Sequence, residues 1–324
     1  MFASIIVPMA AGLAIFLFGM KTMEWALHSW AGRYLERLLG RFTRTPARGL
    51  ITATGITAVL QSSTAVTVIT IGLVNAGVMR FPQTLGIILG SNIGTCLTTE
   101  LVGLNLNRIA LPLMLAALVF WFIVLSMPDY QFRSSSRLRS MRLLPLAILG
   151  FCCVLLGMRV MQSIAPALES MGMFSWFIEQ SRRSLLWGML AGAVLTALLH
   201  SGAVTIAIAM GLASVGAVSP ALGIAIVIGA NVGTCITALI ASIGGTRFGV
   251  YVAWAHILLN VGGAVLFYPL IGPLEWISGL ISHEPGAQLA HAQTLFNVIC
   301  SIAALPLCYL PALRRIQLTG GKPA

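Results

Sequence analysis

The residues most suited to chemistry are four adjacent polar side chains, Gln61, Ser62, Ser63 and Thr64, inside a long apolar run without charge. An unpaired polar group in hydrocarbon costs roughly 2–7 kcal/mol, so three hydroxyls and an amide are expected to bind something there. Packing between membrane helices needs fewer polar groups than this. The cluster therefore predicts a binding site for small ions.

The stretch TAVLQSSTAVTVIT recurs as TALLHSGAVTIAIA, 139 residues later. The same offset takes Gln61 to His200 and Asn92 to Asn231, and it relates GSNIGT to GANVGT. We predict that residues of both copies bind ions, and these further candidates are Thr57, Thr196, Asn92, Asn231, Thr95 and Thr234. No carboxylate lies at either QSST-like cluster, so a cation there must be held by neutral oxygens or by a co-bound anion.

Composition places these clusters in a membrane. The chain has 324 residues, of which 58% are hydrophobic and only 8% charged, against about 25% charged in soluble domains. The net charge of +11 is then a topology signal and does not indicate nucleic-acid binding. The six cysteines lack metal or redox spacing, and no nucleophile–base pair, metal-ligand cluster or nucleotide motif suggests an enzyme.

Segment lengths predict how the clusters are held. Residues 47–79 are too short for two spans and a turn, which need about 40 residues, and too long for one span. They fit a re-entrant helical hairpin with Gln61–Thr64 at its tip, and residues 185–218 fit a second with His200 and Ser201 at its tip. The glycines of GSNIGT and GANVGT predict a broken transmembrane helix after each hairpin.

We therefore predict an all-α polytopic membrane protein with two inverted-topology repeats and one extra C-terminal helix. The repeats are residues 1–130 and 143–272, separated by a cytoplasmic basic loop at 131–142. Residues 273–324 supply an outer loop, the last transmembrane helix and a short basic tail. Three spans in each repeat is an odd number, which inverts the second repeat relative to the first.

The distribution of basic residues predicts the orientation. With the N-terminus outside and the C-terminus cytoplasmic, all Lys and Arg residues except Arg108, Arg159, Arg182 and Arg183 fall in inner segments.

The first apolar segment lacks a basic n-region and is expected to be a membrane helix, not a cleaved signal. Residues 24–46 are expected to form a separate amphipathic helix in the headgroup layer, in contact with membrane lipids. Glu100 is expected to snorkel at the end of its span.

The two motif pairs resemble the sodium/phosphate cotransporter family, which includes bacterial symporters and animal type II cotransporters. The resemblance rests on TAVLQSSTAVTVITIGLV followed by LGSNIGTCLT, on the second copy ending GANVGTCITALIASIG, and on AHAQTLFNV near the C-terminus. It implies an inverted-repeat transporter whose tips bind phosphate and Na⁺. The second tip departs from the motif, because of its residues His200 to Ala203 only Ser201 keeps the pattern.

The resemblance implies sodium-coupled symport of phosphate across the plasma membrane. Phosphate would be bound by Gln61, Ser62, Ser63, Thr64, His200 and Ser201. Na⁺ would be the co-transported ion, without an organic cofactor, and a homo-oligomer is left open. The altered second tip keeps two alternatives: transport of another oxyanion or proton coupling through His200, and a non-transporting membrane sensor or scaffold with the same fold.

Overall fold

The computed structural model describes residues 2–104, 106–126 and 143–315, and every regular element in these ranges is a helix. Seven helical stretches within them are long and apolar enough to cross a bilayer, so the chain is a multi-pass membrane protein. This number agrees with three spans for each predicted repeat and one extra span.

The α-helices are α1 (Phe2–Phe42), α2 (Pro46–Leu60), α3 (Ser63–Asn75), α4 (Phe81–Gly103), α5 (Asn107–Ser126), α6 (Leu143–Gln162), α7 (Ala165–Glu169), α8 (Gly172–Arg183), α9 (Leu186–Leu199), α10 (Gly202–Ser214), α11 (Pro220–Gly233), α12 (Cys235–Ser242), α13 (Arg247–Phe267), α14 (Ile271–Ile281), α15 (Pro285–Ala304) and α16 (Pro311–Arg315). Short 3₁₀ turns follow α13 at Tyr268–Leu270 and α15 at Leu305–Tyr309.

The chain forms two compact units. The first takes residues up to Arg33 and Leu104–Trp176, and the second takes Tyr34–Gly103 and the residues from Phe177 onward. Each unit therefore draws on both predicted repeats. The second unit contains both polar clusters and both glycine-flanked motifs.

In the first unit, glycines bring α1 and α6 into close contact. A Cβ at Gly19 would lie 2.5 Å from the Gly150 carbonyl oxygen, and one at Gly157 would lie 2.6 Å from that of Gly12. Because the earlier glycine of α1 meets the later glycine of α6, the two helices run antiparallel. Membrane helices commonly use small residues in this way, since lipid supplies no hydrophobic force to drive them together.

In the second unit, α2 lies against α4 along a stripe of glycines. Gly86, Gly90 and Gly94 of α4 have no room for a Cβ, because it would collide with the backbone oxygens of Pro46, Leu50 and Thr54 in turn. The residue numbers of the contacting positions rise in the same order on both helices, so α2 and α4 run in the same direction.

The second copy repeats this packing between α9 and α11. A Cβ at Gly229 would collide with the Met189 carbonyl oxygen, and one at Gly233 would lie 2.4 to 2.7 Å from atoms of Ala193 and Thr196. The helices again run in the same direction. The two copies of the repeat thus use the same contact to place a short helix beside a candidate membrane span.

The predicted break in the first glycine-flanked motif is wrong. α4 is continuous from Phe81 to Gly103 and passes through GSNIGT without interruption. Gly90 and Gly94 serve close packing against α2, and the Thr95 hydroxyl donates to the Ser91 carbonyl oxygen at 2.9 Å within the helix. These glycines therefore permit a helix contact and do not end the helix.

The second motif is interrupted, but by one residue only. α11 ends at Gly233 and α12 begins at Cys235, while Thr234 keeps a right-handed backbone with φ −62° and ψ −21°. The two helices together form a single candidate span, Pro220–Ser242.

The separate amphipathic helix predicted at 24–46 is also wrong, because α1 continues unbroken to Phe42. Lys21 and Glu24, at the point where the separate helix was expected to begin, form an ion pair of 2.6 Å along the continuous helix. The predicted basic loop at 131–142 lies outside the described residues.

Replacement of Gly90 by Ala tests the glycine contact. We expect Gly90→Ala to lower the stability of the folded protein by about 1–3 kcal/mol, because its methyl group would overlap the Leu50 carbonyl. The melting temperature of the protein purified in detergent measures this. Gly72→Ala is the matched control, since nothing lies within 4 Å of a Cβ there and α3 is helical at that point. Equal melting temperatures for the two variants would contradict the packing.

Candidate functional site

The first polar cluster forms a junction between two short helices. α2 ends at Leu60, Gln61 adopts a left-handed backbone with φ 56° and ψ 24°, and Ser62 is extended and caps α3. The Ser62 hydroxyl accepts a hydrogen bond from the Ala65 amide at 3.3 Å. The QSST sequence therefore breaks the helix at the predicted place.

The second cluster has the same backbone geometry. His200 is left-handed with φ 52° and ψ 27°, and Ser201 is extended before α10 begins. Gln61 and His200 are the two non-glycine residues with positive φ among the described residues. A left-handed non-glycine residue costs on the order of 1–3 kcal/mol, and such strain concentrates at functional sites.

Both junctions leave the start of a helix open to a ligand. The first amide groups of α3 and α10 have no carbonyl partner within their helices, and they carry the positive end of the helix dipole. Ser62, Ser63 and Ser201 are half-buried, and Thr64 and His200 are exposed, so none of these polar groups is sealed inside the protein. Such an arrangement binds anions.

The Gln61 side chain is held in place by its surroundings. Its amide oxygen accepts from the Thr98 hydroxyl at 2.7 Å, and its amide nitrogen donates to the Ala58 carbonyl oxygen. Gln61 thus fixes the junction to α4, and one lone pair of its oxygen remains for a ligand. Thr98 was not among the predicted site residues.

The paired threonines Thr57 and Thr196 differ in their hydrogen bonding. Both are fully buried. The Thr196 hydroxyl donates to that of Thr205 at 2.9 Å. The position equivalent to Thr205 in the first copy is Val66, and the Thr57 hydroxyl has no partner among the described residues. A buried hydroxyl without a partner is rare and marks a place where a ligand oxygen or cation can bind.

The asparagines of the two glycine-flanked motifs bind other protein groups. Asn92 donates from Nδ2 to Oδ1 of Asn260 at 3.3 Å. Asn231 donates to the Val227 carbonyl oxygen at 2.9 Å and accepts from Asn297 at 3.3 Å. These residues therefore tie helices together, and each retains limited capacity for an ion.

The threonines of these motifs bond within their own helices. Thr95 donates to Ser91, as described above, and Thr234 donates to the Asn231 carbonyl oxygen at 2.6 Å. A Cβ at Gly202 would lie 2.9 Å from Cγ2 of Thr234, which places Thr234 beside the second junction. The hydroxyl oxygen of Thr234 keeps lone pairs that a cation could use.

The extra C-terminal helix α15 contributes polar groups that the sequence analysis missed. Asn297 donates to both Asn231 on α11 and the Cys96 thiol on α4, and Gln293 accepts from the Thr99 hydroxyl at 2.6 Å. Ser301 donates to the Leu89 carbonyl oxygen at 3.1 Å. α15 therefore connects the α4 and α11 helices of the two copies within the second unit. The sequence did carry a signal for these groups, because the amide side chains Gln293 and Asn297 lie four residues apart on an otherwise apolar helix.

Glu100 does not snorkel freely as expected. Its carboxylate accepts from the Thr294 hydroxyl at 2.5 Å and pairs with Nδ1 of His291 at 2.9 Å. His256 on α13 is buried, and neither of its ring nitrogens has a partner among the described residues. Both features lie outside the predicted site residues.

The seven candidate spans among the described residues place the chain in the class of polytopic helical membrane proteins. Each copy of its repeat contains a helix junction with an open helix start. The sequence profile described as Na⁺/Pi-cotransporter matches residues 15–163 and 164–270. The chain therefore belongs to the Na⁺/Pi-cotransporter family, as its motifs predicted.

Curated relatives agree with this membership. YqeW of Bacillus subtilis is an uncharacterized protein and is 32% identical over 306 residues, covering 94% of this chain and 95% of the relative. YjbB of Salmonella typhimurium and YjbB of Escherichia coli K12 are each 22% identical, covering 93% and 91% of this chain. Their names assign them provisionally to inorganic phosphate export, and the chain spans about half their length. No solved structure matches the chain.

The two buried threonines give a matched test of which hydroxyl the fold needs. We expect Thr57→Val not to lower the melting temperature, because its hydroxyl has no hydrogen-bond partner among the described residues. Thr196→Val should cost about 0.5–1.5 kcal/mol, because it removes the buried hydrogen bond that the Thr205 hydroxyl accepts and leaves that hydroxyl only its bond to the Ser201 carbonyl oxygen at 3.5 Å. Thermal unfolding in detergent without phosphate measures both. A larger loss for Thr57→Val than for Thr196→Val would contradict the assignment.

Proposed function

We propose that the protein is a secondary transporter that couples Na⁺ to inorganic phosphate. The observation that carries the proposal is the pair of equivalent helix junctions, each with a left-handed residue followed by a serine at a helix start. Matching helix interruptions in two halves of a chain are expected where the halves share one substrate site. Membership of the Na⁺/Pi-cotransporter family supplies the substrate class.

Phosphate binding is assigned to the starts of α3 and α10. The free amide groups would donate to phosphate oxygens, together with the hydroxyls of Ser62, Ser63, Thr64 and Ser201. Gln61 and His200 would set the direction of each helix start through their left-handed backbones. The exposed imidazole of His200 could add one further donor.

Na⁺ binding is assigned first to the surroundings of Thr57. Its buried hydroxyl oxygen has no partner in the part of the chain that the structure describes, and the position one helical turn before Gln61 puts it beside the end of α2. The last carbonyl groups of a helix are also without helical partners and suit a hard cation. Residues of the companion motifs, Asn92, Thr95, Asn231 and Thr234, would complete or shape the cation sites, as would Thr196 in the second copy.

Helix lengths and directions favour re-entrant hairpins. α2 and α3 have 15 and 13 residues, about 22 and 20 Å, and neither reaches across a hydrocarbon core of about 30 Å. The start of α2 lies beside Gly86, near the start of α4, and α3 ends only six residues before α4 begins. Both ends of the hairpin thus lie near the same end of α4, and α9 and α10 repeat the arrangement.

The antiparallel packing of α1 and α6 supports inverted repeats of residues 1–130 and 143–272. An offset of 138 residues takes Gly12 to Gly150 and Gly19 to Gly157. The contacts join Gly12 to Gly157 and Gly19 to Gly150, which is the exchange that a two-fold axis in the membrane plane produces. With the N-terminus outside, most basic residues face the cytoplasm of a plasma membrane.

Na⁺-driven transport under this proposal runs inward, because an inward Na⁺ gradient would drive it. The names of the YjbB relatives favour a second candidate, phosphate export, on the same fold. The altered second junction favours a third, in which another oxyanion is moved or a proton replaces one Na⁺ at His200. All three use the same two helix starts.

Flux in proteoliposomes tests the proposal. We expect an inward Na⁺ gradient to stimulate uptake of radiolabelled phosphate, and an equal K⁺ gradient to have no effect. Ser63→Ala should weaken phosphate binding about tenfold or more, since a hydrogen bond to a charged group is worth about 1.5–3 kcal/mol.

Ser126→Ala is the matched control, because that hydroxyl is exposed on α5 and, within the described residues, bonds to the Phe122 carbonyl oxygen of its own helix. Na⁺-independent phosphate flux, or stimulation by Na⁺ only in the outward direction, would contradict inward sodium symport. Preference for sulfate over phosphate in a competition series would contradict the substrate.

A further inference from the structure

An ionisable pair sits between α4 and α15, apart from both helix junctions. Glu100 and His291 approach to 2.9 Å, with their side chains only 29% and 24% exposed. Thr294 donates to the second carboxylate oxygen at 2.5 Å and also approaches the Ala290 carbonyl oxygen at 3.1 Å. Charged side chains inside membrane segments are costly and are usually retained for a function.

The charge of this pair changes with one proton. With His291 neutral, Nδ1 donates to the carboxylate and the pair carries one negative charge. A proton bound at Nε2 gives an ion pair with no net charge, which a low-dielectric environment favours over an uncompensated carboxylate. Histidine is the side chain whose charge changes in the physiological pH range.

Other titratable groups lie on the helix of Glu100 and on the elements packed against α4 and α15. Cys96 lies one turn earlier on α4, and its thiol accepts from Asn297. Helices α3, α10 and α11, which pack against α4 or α15, carry no ionisable side chain. Those on the remaining packed elements and the adjoining turn are Arg48, Arg247, Tyr251, His256, Glu275, His283, Glu284, Cys300, Cys308 and Tyr309.

The pair adjoins the residues that position the first junction. Thr98, whose hydroxyl binds Gln61, precedes Glu100 by two residues, which is about 3 Å of helix rise. Thr99 between them binds Gln293 on α15. A change of charge at Glu100 therefore occurs on the same turn of α4 as Thr98, whose hydroxyl binds Gln61.

We infer that Glu100 and His291 form a proton-binding site whose occupancy is linked to anion binding at the first helix junction. Loading the proton removes a negative charge near that junction and therefore strengthens anion binding. By linkage, a bound anion strengthens proton binding by the same factor. The proton site stands on the pair itself, whereas its link to phosphate rests on the proposed function.

Thermal unfolding of the purified full chain tests the proton site without transport. Melting temperature is measured from about pH 6 to about pH 8 for wild type, Glu100→Gln and His291→Gln. Both variants keep a hydrogen-bonding side chain. His291→Gln removes the imidazole that takes up the proton, and Glu100→Gln removes the carboxylate that stabilises the protonated imidazole. We expect the stability of the wild type at about pH 6 relative to about pH 8 to be reduced in each single variant, and the double variant to match His291→Gln. Profiles that parallel the wild type would overturn the site.

Phosphate stabilisation at the two ends of this pH range tests the link. Phosphate changes its own protonation across the range equally for every variant, so only differences between variants count. For each protein we take the ratio of its phosphate affinity at low pH to its phosphate affinity at high pH. We expect this ratio to be about fivefold or more larger in the wild type than in either variant. Glu275→Gln, a half-buried carboxylate on α14, is the matched control and should behave as wild type.

The outcomes separate the two proposals. Equal affinity ratios in all variants would overturn the link, as would a ratio altered equally by Glu275→Gln. If phosphate stabilises none of the proteins, the proposed function and the link both fail, while distinct pH profiles of unfolding would still support the proton site.

Discussion

Backbone N–H and C=O groups inside a membrane need hydrogen-bond partners, and the structure depends on two helix junctions where some of these groups lack one. At the junctions after Leu60 and Leu199 the helical ladder stops, and a left-handed residue redirects the chain. The hydrocarbon core offers no water to satisfy the open helix starts, so a ligand, a cavity or other protein must do so. A bound anion satisfies several amide groups at once, which is why the junctions suit a transported ion.

Close packing of glycines makes these junctions possible. α2 and α9 are too short to be stable alone, and each is supported by a candidate membrane span, Phe81–Gly103 or Pro220–Ser242, that it contacts backbone to backbone. α15 then connects these two spans through amide side chains such as Asn297 and Gln293. The second unit thus holds two strained junctions on a framework of tight helix contacts.

The sequence predicted the junctions and the number of spans because both depend on local patterns. A polar cluster within an apolar run that is too long for one span has few structural solutions. It did not predict the fate of Gly90 and Gly94, because glycine both weakens a helix and allows another helix to approach, and the choice depends on a distant partner. The partners of Glu100 and Asn231 lie far along the chain, so no local pattern could identify His291 or Asn297.

We propose that both helix starts open onto one aqueous phosphate site. Reaction of Ser63→Cys and Ser201→Cys with a small charged thiol reagent tests this, with the wild type as baseline because its six cysteines are buried or half-buried. We expect both introduced thiols to react and phosphate with Na⁺ to protect both of them. Failure of either thiol to react, or protection of one alone, would contradict a shared site.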